Sequence, residues 1–308
     1  YDEHFGPLSG GVDYFEHTDR AGKHDLFDNG SEVFAEGYLT DLLSRRAVEF
    51  VERCAKRRQP FLLSLHYTAP HWPWETREDA HLAPALRAQI IHLDGGSVRT
   101  YQRMIAQMDE GIGWLLQALD LHGLADDTLI VFSSDNGGER FSDNWPLVGG
   151  KMDLTEGGIR VPYVVRWPDV VPAGAVTAQP SMTMDWVATF LDAAGVPADP
   201  AYPLDGVSML PVLRDPDARI PRPLYWRMKH RRQRALRDGQ WKYLAIEDHE
   251  YLFDLDADER ERANQARRDP QRLQAMREQF AAWDAAFGPI PDDARVELVY
   301  TERDMPSR

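Results

Sequence analysis

Apolar residues along this chain change rhythm several times, and each change predicts an element. Between Leu39 and Cys54 the residues Leu43, Ala47, Phe50, Val51 and Cys54 recur three and four apart, which predicts a helix with one buried face. Gln59-Pro60 stops that helix, and the apolar run Phe61-Leu-Leu-Ser-Leu-His-Tyr67 predicts a buried strand. A longer helix is predicted by Tyr101, Ile105, Met108, Ile112, Leu115 and Leu119, with Gly123 as its stop. Strands are predicted at Leu129–Phe132 and Val161–Trp167, and a helix around Met184–Ala194 closed by Gly195. Residues 1–37, rich in Gly, Asp and His with few periodic apolars, predict loops. Helices alternating with strands are the signature of an α/β fold with a mixed, mainly parallel sheet between helices.

The pattern changes again after the charged and proline-rich stretch Arg214–Pro223. Leu224–Met228, Arg234–Arg237, Trp241–Ile246 and Tyr251–Asp254 predict short antiparallel strands around turns at Asp238-Gly239 and Glu247–Glu250. Leu273, Met276, Phe280, Trp283 and Phe287 then form one stripe of a closing helix. The expected organisation is an α/β domain over residues 1–220 and a small C-terminal antiparallel α+β domain over 221–308.

Composition narrows the function. The 308 residues carry a net charge of −15, which argues against a nucleic-acid or anionic-membrane binder. Any anion site must therefore be built locally. One cysteine excludes an internal disulfide; Cys54, on a helix face beside Phe50 and Val51, reads as core. No apolar run approaches the ~20 residues of a membrane span. The opening Tyr1-Asp-Glu-His-Phe-Gly is neither a Met start nor a signal peptide, so the chain is expected to begin within a longer protein. Compartment and oligomeric state are not legible.

Chemistry gathers at loops and at strand ends. The strand Thr128-Leu-Ile-Val-Phe runs into Ser133-Ser-Asp135-Asn136-Gly137-Gly138. Adjacent carboxylate and amide oxygens suit a hard cation, although an isolated S-D-N-G is by default an Asx-turn. His71 lies in the proline-stiffened loop Thr68–Trp74, Lys151 follows Gly149-Gly150, and Glu156–Arg160 follows in turn. Such a set could cleave an ester of a tetrahedral anion: a metal polarises one oxygen, an ammonium neutralises another, and an imidazole protonates the departing alcohol.

In this order the motifs resemble the sulfatase family, arylsulfatase-like members of the alkaline-phosphatase-like superfamily. The resemblance rests on Ala69-Pro-His71-Trp-Pro73, Met108-Asp-Glu-Gly-Ile-Gly-Trp-Leu-Leu116, Ser134-Asp-Asn-Gly137 and Gly150-Lys151 through Glu156-Gly-Gly-Ile-Arg160-Val-Pro162. It continues through Asp185–Phe190, Leu204–Pro211, Arg237–Tyr243 and Tyr251–Asp256. It implies hydrolysis of sulfate esters of a small molecule or carbohydrate. It further implies catalytic roles for His71, as proton donor, and Lys151, as sulfate ligand. Asp135 and Asn136 would be ligands of Ca2+, with Mg2+ less suited, and Glu156 and Arg160 would shape the loop.

The formylglycine motif Cys-x-[Pro/Ala]-Ser-Arg and the Asp-Asp metal pair that the family carries near its N-terminus are absent from the start of this chain. The tail Asp304-Met-Pro-Ser-Arg308 mimics the motif with an aspartate that cannot be converted, and is read as coincidence. The formylglycine is expected upstream of Tyr1, so turnover by this fragment alone is not expected. Two alternatives stand beside this reading: a phosphate or phosphonate ester hydrolase of the same superfamily, and a non-catalytic binding remnant. Asn136, a neutral oxygen donor where a histidine would suit zinc or manganese, leans toward calcium and sulfate. Trp72 and Trp74 read equally as substrate mouth or as loop packing. The basic stretch Arg227–Arg237 reads as a solvated strand face before it reads as a polymer grip.

Overall fold

Two helices organise the first 127 residues. In the computed structural model, which describes residues 1–19, 21–86 and 96–294, contacts separate a compact unit Tyr1–Asp127 from a second beginning at Thr128. The change of composition near 221 falls inside the second unit, and the tail Asp304–Arg308 lies outside the described residues.

In the first unit, α1 (Leu39–Arg57) buries Leu43, Ala47, Val51 and Cys54, the stripe that its periodicity predicts. It ends where Arg58 turns left-handed, at φ 51°. The Cys54 thiol is buried and pushed up by that burial, as expected of a core cysteine. Helix α2 is a single turn (Ala83–Leu86). Helix α3 (Val98–Leu121) starts at Ser97, whose hydroxyl accepts the Thr100 N–H, and Gly123 follows it at φ 66°.

The face of α3 that is buried differs from the stripe of large apolars. Met104, Gln107, Gly111, Ala118 and Leu119 are buried, whereas Ile105 is exposed and Tyr101, Met108, Ile112 and Leu115 are half-buried. The reason is the close approach of α1. A Cβ on Gly111 would lie 2.1 Å from Ser44 Oγ, so only small residues fit where the helices meet. Arg77 strengthens this junction by pairing with Asp41 of α1 at 2.6 Å and Glu110 of α3 at 3.0 Å.

Two expectations for this unit fail. Residues 1–37 are not all loop: β1 (Phe5–Gly6), β2 (Phe27–Asp28) and β3 (Ser31–Glu32) form a small antiparallel sheet in that order. Conversely, the segment 61–67 alternates half-buried and exposed positions but enters no ladder. Apolar alternation supplies a face, and a strand also needs a neighbouring edge to bond.

In the second unit, β4 (Ile130–Ser133) pairs antiparallel with β5 (Tyr163–Arg166). Every ladder among the described residues is antiparallel, so the expected parallel pairing is not among them. Nor is β4 fully buried, because Phe132 and its cross-strand partner Val164 share an exposed face. Between the two strands lies α4 (Glu156–Ile159), a single turn. Helix α5 (Asp185–Ala193) is locked to the loop ahead of α6 (Leu210–Arg214): buried Asp185 accepts the N–H of Val207 at 3.0 Å and pairs with Arg222.

The C-terminal meander forms as its pattern predicts. Strands β6 (Leu224–Met228), β7 (Gln233–Asp238), β8 (Trp241–Ile246) and β9 (His249–Asp254) pair in sequence order, and α7 (Pro270–Asp284) follows. Period-2 alternation gives the sheet two buried faces. Leu236, Tyr243, Ala245 and Leu252 pack with Met276 and Phe280 of α7, whereas Ala235, Leu244 and Phe253 pack with Leu154. The basic stretch between β6 and β7 is engaged within the protein. Arg227 pairs with Asp284, Arg232 with Asp248, and Lys229 donates to backbone carbonyls of Pro291 and Ala294.

Lys242 of β8 projects from the Leu154 side of the sheet and is completely buried. Its ammonium lies 2.8 Å from Glu156 and 2.8 Å from Glu261, both buried, and Arg237 approaches Glu156 at 3.7 Å. Removing the cation alone strands two buried carboxylates. We expect Lys242→Met to lower unfolding free energy by about 3–5 kcal/mol in urea titration. Combining it with Glu156→Gln and Glu261→Gln should recover most of that loss.

Candidate functional site

The Asp135–Asn136 pair stands at the end of β4, where the chain turns away from its ladder. Ser134 Oγ donates to the Asn136 carbonyl at 2.9 Å, and the Asn136 amide donates to the Asp135 carboxylate at 2.5 Å. The Asx-turn expected of an isolated S-D-N-G does not form, because the N–H groups of Gly137 and Gly138 donate to Gly158 O and to Asn144. Asp135 is exposed and Asn136 half-buried.

Glycines then bring this turn against the Lys151 loop, backbone to backbone. Gly137 N–H donates to Gly158 O at 2.9 Å, Lys151 N–H to Gly138 O at 3.2 Å, and Gly157 N–H to Val148 O at 2.8 Å. A Cβ on Gly137 would sit 1.8 Å from Gly157 O, and one on Gly157 would sit 2.4 Å from Val148 O and Gly149 O. Side chains are excluded there because carbonyls occupy the space. Asn144 ties both arms together. Its amide donates to Gly138 O and Gly149 O at 3.1 Å, and its carbonyl accepts Gly138 N–H at 3.2 Å.

Lys151 therefore emerges from the same knot as Asp135 and Asn136. Its largely buried ammonium stands 3.6 Å from Glu139. The segment beyond it is fastened to the C-terminal sheet. Gln233 accepts the Leu154 N–H at 2.9 Å and donates to Met152 O at 2.8 Å, while Glu261 accepts the Glu156 N–H at 2.7 Å. Glu156 is thus a buried loop anchor, whereas Arg160 pairs at the surface with Glu259 at 3.6 Å.

His71 belongs to the first unit. Its Nδ1 lies 2.8 Å from Trp72 O; a carbonyl only accepts, so Nδ1 carries hydrogen and Nε2 is the basic nitrogen of the neutral ring. Tyr14 Oη donates to His71 O at 2.8 Å. Trp72 and Trp74 are buried, so they pack the loop and do not line a mouth.

Asp135 and Asn136 offer oxygens of the kind a calcium or magnesium ion takes, but two donors fall short of the 6–8 oxygens that calcium collects. Among the described residues no group of three or more His, Cys, Asp or Glu could hold a metal. The pair alone meets only part of such a coordination shell.

Several residues that shape the site were not legible from spacing. Gln233, Lys242 and Glu261 act through contacts with residues distant in sequence, and Asn144 acts by bridging two backbone arms that its spacing does not reveal.

Comparisons with known proteins identify the family. The family model described as Sulfatase matches residues 2–196, and that described as N-sulphoglucosamine sulphohydrolase, C-terminal, matches residues 150–282. The chain is 32% identical over 222 residues to the uncharacterized sulfatase YdeN of Escherichia coli, covering 69% of this chain and 38% of that protein. It is 32% identical over 271 residues to choline-sulfatase of Rhizobium meliloti, covering 74% of this chain and 51% of that protein. The crystal structure of Ps i-CgsB in complex with k-i-k-neocarrahexaose superposes with a TM-score of 0.78 at 33% identity, over 92% of this chain and 66% of that one. The chain therefore spans about half or less of the curated relatives' length.

The backbone contact makes a sharp prediction. Gly137→Ala should separate the Asp135 turn from the Lys151 loop. Amide hydrogen exchange at residues 137–138 and 157–158 should rise at least tenfold relative to the unaltered protein, with the C-terminal strands unaffected.

Proposed function

Because the chain belongs to the sulfatase family, we propose that the protein it comes from hydrolyses sulfate esters, and that these residues furnish much of the sulfate-binding apparatus. The carrying observation is the glycine knot, which presents a carboxylate, an amide oxygen and an ammonium from one rigid patch of backbone. An anionic tetrahedral ester needs fixed positive charge at its oxygens, because preorganised charge stabilises the transition state without reorganising during reaction.

Lys151 would bind a sulfate oxygen, and the bond from its main-chain N–H to Gly138 O fixes where its side chain starts. His71 would protonate the leaving oxygen from Nε2 once the ring is charged, with Nδ1–H held by Trp72 O. Asp135 and Asn136 would hold calcium, or less readily magnesium, which when bound polarises a sulfate oxygen. The nucleophile, a formylglycine in this family, would come from outside the 308 residues. The finer architecture is proposed likewise: a mainly parallel sheet completed by strands beyond these ladders.

A sulfated small molecule or carbohydrate is the proposed substrate. Choline-sulfatase and the neocarrahexaose complex are relatives whose names point to such ligands.

In the whole protein, Asp135→Ala should weaken calcium binding at least tenfold by isothermal titration and abolish turnover of an aryl sulfate. Lys151→Ala should cost about 10²–10³ in kcat. Turnover of an aryl phosphate exceeding that of the matching aryl sulfate would replace this reading with a phosphatase. Undiminished turnover in calcium-free buffer would remove the metal assignment.

A further inference from the structure

The first unit buries two carboxyl groups that the chemistry above does not use. Asp13 and Glu75 are completely buried and close enough that the charge of each acts on the other, Glu75 accepting the N–H of Tyr14, the residue next to Asp13. Two ionised carboxylates only accept, so one of them must carry a hydrogen. The other contacts say which oxygens share it. Asp13 Oδ1 accepts the N–H of Phe15 at 2.8 Å and of Glu16 at 2.5 Å, and Glu75 Oε2 accepts the Tyr14 N–H at 3.3 Å. Asp13 Oδ2 and Glu75 Oε1 are left buried with no other donor, and one proton between them satisfies both.

The surroundings place that proton on Glu75. Burial raises both carboxyls; two backbone N–H groups oppose this at Asp13, whereas the Asp13 charge adds to it at Glu75, which is pushed up to about 8. The other charged neighbours do not offset this. Asp79 and Glu16 are themselves carboxylates acting on the pair, and Arg77 is engaged by Asp41 and Glu110. His17, near His24, is pushed down to about 4 by burial and stays neutral, and burial likewise keeps the Tyr14 and Tyr38 phenols neutral.

The pair sits against the loop that carries His71. Tyr14, next to Asp13, donates its hydroxyl to His71 O at 2.8 Å, and Tyr38 donates to Glu75 O at 2.9 Å. The two phenol rings stack with centroids 5.2 Å apart. A like-charge repulsion between Asp13 and Glu75 would thus act directly on both tethers of this loop.

We propose that the proton shared by Asp13 and Glu75 positions His71 for its work, holding the 71–75 loop on Tyr14 and Tyr38. This rests on the reading of His71 as the proton donor. With the proton, the loop is anchored; without it, two buried negative charges push the loop off. Asp13 and Glu75 are positioning residues and touch no reacting atom.

Amide substitutions test this without emptying the site. Glu75→Gln supplies the hydrogen permanently, donating to Asp13 Oδ2 and still accepting from Tyr14. In the whole protein, unaltered kcat for an aryl sulfate should fall at least tenfold in an alkaline step near pH 8. Glu75→Gln should keep kcat at pH 7 within threefold and lose that step; Asp13→Asn, which also supplies a hydrogen, should lose it too. Stability carries the same sign. A carboxyl raised from 4.5 to about 8 on folding binds its proton in the folded state first, so unfolding free energy falls as pH rises from 4.5 to 8 and then levels off. Glu75→Gln should remove that slope.

A second readout needs no turnover. Infrared spectra at pH 7 should show a protonated carboxyl that disappears above pH 8 and in Glu75→Gln, and the His71 ring resonances should shift with it. An identical alkaline step in Glu75→Gln, or no protonated carboxyl at pH 7, overturns the proposal. If the protein turns over no sulfate ester, the proposed function fails. The infrared signal and the His71 shift then still decide the positioning, by their presence or absence.

Discussion

Carbonyl oxygens of one loop occupy the space where side chains of another would be, and the candidate site depends on that constraint. Gly157 O fills the place of a Gly137 side chain, and Gly149 O and Val148 O fill that of Gly157. Main-chain contact at this distance removes the slack that intervening side chains would introduce. Asp135, Asn136 and Lys151 stand within two residues of these contacts, so their spacing follows from main-chain bonds such as Lys151 N–H to Gly138 O. A charged site benefits, because electrostatic stabilisation is lost when groups must reorganise.

Such a knot has little apolar surface of its own and must be held from outside. Leu154 anchors it on the C-terminal sheet, and Gln233 satisfies backbone groups at Met152 and Leu154. The Glu156–Lys242–Glu261 cluster fastens its far end. The meander is thus a clamp on the loop as well as a sheet packed on α7. Burying an ammonium is costly, and it is sustained by two carboxylates at 2.8 Å with Arg237 beyond.

The first unit meets a similar burden differently. Among the described residues no cation pairs with Asp13 or Glu75, and there a shared proton takes the part that Lys242 plays in the second unit. A proton on a buried carboxyl can leave as pH rises. The arrangement that depends on such a proton lies beside His71.

The sequence by itself determined the elements whose signals are local. The stripe of α1, the αL glycines Gly123 and Gly195, the four-strand meander and the stripe of α7 are all read from spacing, because 3.6- and 2-residue periods are properties of neighbours along the chain. The motif order also led to the family, and it named Asp135, Asn136, Lys151 and His71 as candidates. Tertiary structure decided what depends on partners far away in sequence. The segment 61–67 had a strand's alternation and no ladder, and α3 turned small residues toward α1 because Gly111 admits Ser44. Trp72 and Trp74 went inward, and Lys242, a surface residue by type, became the centre of a buried cluster. Pairing, burial and charge compensation are set by what lies across space, and a one-dimensional pattern carries no record of it.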